Sequence, residues 1–219
     1  MPSGGEAEGP PLGAVRVKFD DPAYESIHLR SIARALQMRD RSGAYGTSSA
    51  EQQEVGLLGE EAVRMWLHGL GFNARSIAEG EGTGNSGGDV AVRFTRNRQG
   101  FVTSGIATIE VKTARIQHWA RYERELNARQ FKRMTCDAIV WCSTRTYGSR
   151  RIVDIMGWLP RFGLKIVEAP PTSARQPQVR VIDELRAPSG LADWLIEERP
   201  TPAQWTSQKL SLDDDVSHF

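Results

Sequence analysis

An α/β fold with a mixed central β-sheet flanked by helices is predicted from the order and period of the apolar segments. Three observations carry it. Two N-terminal segments place apolar residues at helical spacing. Three short apolar runs separated by glycine or polar turns follow between Phe72 and Lys112. A further helical segment then leads into the apolar run Asp137 to Ser143. Helix, three meandering strands, helix and strand together make a sheet between helical layers.

The elements follow in order. Met1 to Gly13 is rich in Gly, Pro and Glu. With no basic start and no apolar stretch it reads as a disordered tail, residues 1–14, rather than a secretory signal. Asp21-Pro22 reads as an N-cap with Pro behind it, opening a helix to about Arg39 with Ile27, Ile32 and Leu36 inward. Residues 15–48 are thus expected to be a helical extension, closed by a linker over Gly43 to Ser48. Ser48-x-x-Glu51 reads as a capping box for a second helix to about Leu70, with Gly71 ending it. Its apolar stripe is Leu58, Ala62, Met65 and Trp66, bordered by Glu60 and Glu61. Strands are expected over Phe72 to Ala78, Asp89 to Phe94 and Phe101 to Lys112, with a glycine loop over Glu79 to Gly88 and a turn over Thr95 to Gly100. Asn127 to Met134 reads as helical. Tyr147-Gly148 turns into a strand over Arg151 to Trp158. Weaker strands cover Lys165 to Glu168 and Gln178 to Ile182, and Pro188 to Glu198 reads as a last helix. The core is therefore expected over 49–170. A C-terminal extension over 171–219 carries that helix and a solvated acidic tail, Asp213-Asp214-Asp215.

The chain has 219 residues, 39% hydrophobic and 25% charged, ordinary values for one globular α/β domain. No apolar run approaches the roughly 18 residues of a membrane span, so no membrane partner is expected. Cys136 and Cys142 lack zinc-site spacing and read as reduced core thiols of a cytoplasmic protein. The net charge of +1 hides an asymmetry. Lys112 to Arg151 holds ten basic and three acidic residues, a balance of +7, which leaves −6 for the rest. A basic segment of that strength fits a phosphate backbone; the plainer alternative is a solvated helix face.

Gly82-Thr83-Gly84-Asn85-Ser86-Gly87 matches the dinucleotide fingerprint, but a strand follows it where the fingerprint needs a helix N-terminus. No phosphate-loop lysine motif occurs, and His28, His68, His118 and His218 lack ligand spacing. The informative segment is Gly88-Asp89-Val90-Ala91-Val92 followed by Thr108-Ile109-Glu110-Val111-Lys112. It contains the only Glu-x-Lys in the chain, inside an otherwise apolar strand. On a strand, Glu110 and Lys112 share one face and Val111 takes the other. Two carboxylates, Asp89 and Glu110, beside the Lys112 ammonium suit a hard divalent cation, Mg²⁺ or Mn²⁺, which is held by one or two carboxylates with water and phosphate oxygens. The chemistry that follows is metal-assisted phosphodiester hydrolysis.

Glu on a helix, then Asp, then Glu-x-Lys resembles the PD-(D/E)xK nuclease superfamily, with its restriction-endonuclease-like core. The local likeness is to small archaeal Holliday-junction resolvases and related endonucleases. Gly56 four residues before Glu60, and Gly71-Phe72 closing the helix, match their spacing and favour Glu60 over Glu61. Gly88 stands where the pattern has a nominal Pro. The resemblance covers about residues 49 to 145. It implies a Mg²⁺-dependent deoxyribonuclease in which Asp89 and Glu110 ligate the metal, with the Ile109 or Val111 carbonyl as a further ligand. Lys112 would orient the attacking water and Glu60 hold a metal-bound water or serve a second ion. Gln130 resembles an auxiliary polar residue near the metal. Arg115, Arg121, Arg129, Lys132 and Arg133 would contact DNA phosphates. A homodimer, or a DNA-end or junction processor working with a protein partner, is compatible with the terminal extensions. The alternative on the same fold is a catalytically silent nucleic-acid-binding or assembly module.

Overall fold

The computed structural model describes residues 10–40, 49–77, 88–98, 101–122, 124–147, 150–169 and 177–197. Strand β1 (Val15–Phe19) leads into helices α1 (Asp21–Asp40) and α2 (Ala50–Gly69). Strands β2 (Asn73–Ser76), β3 (Val90–Arg98) and β4 (Phe101–Arg115) follow. Then come α3 (Ile116–Tyr122), β5 (Glu125–Asn127), α4 (Ala128–Arg133), β6 (Ala138–Tyr147), β7 (Arg150–Pro160), β8 (Ile166–Glu168), β9 (Gln178–Val181) and α5 (Gly190–Glu197).

The main sheet has the order β1-β7-β6-β4-β3-β2. Its pairs are antiparallel except β4 with β6. That exception follows from the connection, because a parallel neighbour needs a crossover long enough to return the chain to the same end. Residues 116–137 supply it and carry α3, β5 and α4. The fold is thus mixed α/β, as expected.

Burial explains the layers. Leu58, Ala62, Val63 and Leu67 of α2 pack on Val90, Val92, Ile109, Val111, Val140 and Cys142, joined by Leu191 and Leu195 of α5. Ile139, Trp141 and Leu159 belong to a second core with Phe131 of α4, Leu126 of β5 and Val179 and Val181 of β9. The small sheet β5-β9-β8 covers that face. Alternate residues of β6 therefore enter opposite cores, and a strand buried on both faces reads as one apolar run.

Several expectations are corrected. Residues 15–48 do not begin helical: Val15, Val17 and Phe19 alternate on β1, which pairs with β7 in the main sheet. Asp20, not Asp21, caps α1; its Oδ1 accepts the Ala23 N–H at 3.0 Å. Ile27 is buried as expected, but Ile32 and Leu36 are 39% and 54% exposed. Ser31 and Ala35 take the inward places because α1 packs mainly on α2 through a narrow stripe. The capping box lies one residue later, with Ser49 and Gln52 exchanging bonds of 3.2 Å. Met65 faces outward, and Val63 and Leu67 widen the buried stripe instead. Gly71 ends α2 in the left-handed conformation, φ +88°. Residues 95–98 extend β3 rather than turning, in register with β4. Elements α3 and β5 were not expected, and α4 starts at Ala128 behind the cap Asn127. The linker 43–48, residues 79–87 of the glycine loop, the first nine residues of the tail and Asp213 to Asp215 lie outside the described residues.

Candidate active site

Alternation along β4 separates its side chains. Ile109 and Val111 enter the core under α2, and Glu110 and Lys112 meet α4 on the other face. Glu110 is only 5% exposed. Lys112 Nζ donates to Glu110 Oε1 at 2.6 Å and to Gln130 Oε1 at 3.0 Å, and Gln130 Nε2 donates to the same Glu110 oxygen at 2.8 Å. This closed triangle fixes all three side chains. Gln130 is aimed by its own helix start: Asn127 Oδ1 accepts its backbone N–H at 3.0 Å.

Asp89 arrives from the start of β3. Its N–H donates to the Ile109 carbonyl at 2.8 Å, and its Oδ2 accepts the Val111 N–H at 2.7 Å. Both bonds tie it to the β4 backbone beside Glu110. The approach needs glycine before it. Gly88 has φ +91°, and a Cβ there would lie 3.0–3.2 Å from Ile109 backbone atoms.

Glu60 comes from α2 through a second glycine. A Cβ on Gly59 would lie 1.9 Å from Thr113 Oγ1, so only glycine lets α2 lie this close to β4. Arg34 Nη1 of α1 donates to Glu60 Oε1 at 3.0 Å. Glu61 turns away, bonded by Arg64 at 3.0 Å and 3.9 Å from Arg30.

The electrostatics mark these residues as one cluster. Burial, then the negative charges of Glu110 and Glu60, push Asp89 up to about 8; Lys112 and the Val111 N–H oppose this only in part. Glu60 is also raised, first by burial, with Arg34 opposing and Glu110 adding to the rise. Three carboxylates therefore repel one another, opposed by one ammonium and by the guanidiniums of Arg34 and, less strongly, Arg30. Among the described residues, Asp89 Oδ1 and Glu110 Oε2 make no hydrogen bond. These hard oxygen donors and the excess negative charge fit a divalent cation such as Mg²⁺ or Mn²⁺. Among the described residues no three Asp, Glu, His or Cys groups form a ready-made cage.

The basic segment divides. Arg129, Lys132 and Arg133 are exposed on α4. Arg115, at the end of β4, is paired with Glu51 of α2. Arg121 lies on α3 with its side chain outside the described residues, and His118 is exposed on the same helix. Cys136 and Cys142 are free, fully buried thiols, and burial raises both, which leaves them poor nucleophiles. Sequence reasoning missed Gly59 and Arg34. The adjacent Gly59-Glu60 was a usable signal for the first; nothing local ties Arg34 to Glu60, 26 residues away.

Comparison with models of protein families, with characterised proteins and with solved structures returns no significant match. Among the described residues no helix is long and apolar enough to cross a membrane.

Proposed function

We propose that the chain is a metal-dependent DNA nuclease of PD-(D/E)xK type, on a restriction-endonuclease-like core, hydrolysing phosphodiester bonds with Mg²⁺ or Mn²⁺. The observation that carries the reading is the convergence of Glu60, Asp89, Glu110, Lys112 and Gln130 at one end of the sheet, with Asp89 held far above the usual carboxylate range. Asp89 and Glu110 would hold the cation. When bound, it supplies Lewis acidity to the phosphate and acidifies the water it holds. Lys112 orients the water and stabilises charge developing on phosphate oxygens. Gln130 keeps Lys112 and Glu110 in place, and Glu60 accepts a hydrogen bond from water at the same centre. Arg129, Lys132 and Arg133, with Arg115 and Arg121, are assigned to the phosphate backbone, which sets register without reading sequence.

The test is incubation with linear, circular, single-stranded and branched DNA, with Mg²⁺, with Mn²⁺ and with EDTA. Cleavage that needs the metal is the expected result. Cleavage that survives thorough chelation, or none on any substrate, overturns the proposal.

A further inference from the structure

Helix α1 lies outside the residues that carry the motif, yet it reaches into the cluster. Arg34 Nη1 sits 3.0 Å from Glu60 Oε1, with the two side chains 22% and 13% exposed. The helix is fixed where it presents this guanidinium. Tyr24 Oη donates to Glu54 Oε1 of α2 at 3.0 Å, and His28 Nδ1 lies 2.9 Å from Glu54 Oε2. Arg151 of β7 stacks 4.4 Å over the Tyr24 ring and donates to its hydroxyl at 3.2 Å. Ile27 is buried in the main core. These contacts reach α2, β7 and the core under α2, so Arg34 is carried on a docked element.

The geometry points to Arg34 as a positioning residue for Glu60: α1 completes the active site by holding that carboxylate toward Asp89 and Glu110. This rests on the nuclease reading above. Glu60 is hydrogen-bonded by Arg34 and lies among other carboxylates that repel it. Without the guanidinium, repulsion from Glu110 and Asp89 turns the side chain outward. Arg30, one turn earlier, is 46% exposed, lies 3.9 Å from Glu61 and acts on Glu60 through its charge alone, so it separates charge from hydrogen bonding on the same helix.

The experiment measures kcat and KM on cleavable DNA for wild type, Arg34→Ala, Arg34→Lys, Arg30→Ala, Glu60→Gln and the Arg34→Ala/Glu60→Gln double variant. Loss of a residue that orients a working side chain typically lowers activity about 10- to 100-fold. Arg34→Ala should lose that much in kcat with KM unchanged. Arg34→Lys should recover part of the loss, because an ammonium keeps the charge and one hydrogen bond. Arg30→Ala should lose much less than Arg34→Ala, because its charge reaches Glu60 without a hydrogen bond. The double variant should be no slower than Glu60→Gln alone, since two residues acting as a unit are not additive. If wild type cuts DNA and Arg34→Ala cuts equally well, the positioning role is wrong and the nuclease reading stands. A rise in KM alone makes Arg34 a DNA contact and overturns the role too, as does a double variant whose losses multiply. A wild type that cuts nothing removes both readings.

Discussion

Asp154 on β7 and Asp89 just before β3 have opposite surroundings. Asp154, on β7, is fully buried and receives Arg16 Nε at 2.7 Å, Arg16 Nη2 at 3.1 Å and Arg145 Nη2 at 2.6 Å. Its charge is matched on both sides by guanidiniums from β1 and β6. Asp89 receives one backbone N–H, and its nearest charged neighbours are two more carboxylates and a single lysine. A satisfied ion cluster holds strands together. A cluster with unrelieved like charge costs stability, and sites that bind cations or move protons are where such arrangements persist. The acid is an aspartate in both places. The balance of partners is what separates the two.

The comparison can be broken in four ways. The largest effect is expected from Lys112→Ala, which should lower the cleavage rate by about 10²–10⁴ while leaving DNA binding intact. Full activity in the folded variant would make Glu-x-Lys a coincidence. Next, Asp154→Ala leaves two guanidiniums without their buried partner. It should destabilise the fold by about 3–5 kcal/mol in denaturant melts without changing Mn²⁺ affinity per folded molecule. A Mn²⁺ defect in that variant would erase the distinction drawn above.

The third concerns Asp89, raised from 3.8 to about 8. A folded-state pKa above the unfolded one means the folded protein binds a proton that the unfolded chain has lost. Metal-free stability should therefore fall as pH rises from about 4 toward 8. Glu60, Glu110 and Lys112 face the same group, and Glu60, itself raised, adds to this slope. Asp89→Asn should flatten it and raise Tm near pH 8, by about 2–4 °C per kcal/mol of repulsion removed. Mg²⁺ should raise the Tm of wild type but not of Asp89→Asn. Parallel melting curves for the two proteins across this pH range would contradict the assignment. The smallest stability effect is expected from reversing Arg129, Lys132 and Arg133 to Glu. Exposed helix charges contribute little to folding, so Tm should hold while DNA affinity drops at every sequence and its salt dependence becomes shallower. Unchanged binding would make α4 a solvated face.

Read alone, the sequence determined the mixed α/β class, most of the strands and the placing of Glu110 and Lys112 on one face. These follow from local period: alternation on a strand and apolar stripes on a helix need no knowledge of what packs against them. It missed β1, whose five residues become a strand only because β7 offers an edge, and it turned Ile32 and Leu36 inward because spacing does not say how much of a helix face will be covered. Tertiary structure alone decided that Gly59 lets α2 touch β4, that Gln130 closes the Glu110–Lys112 pair, and that Arg34 from α1 meets Glu60. Those contacts join residues 18 to 54 positions apart, and the proximity that raises Asp89 exists only once the chain has brought like charges together.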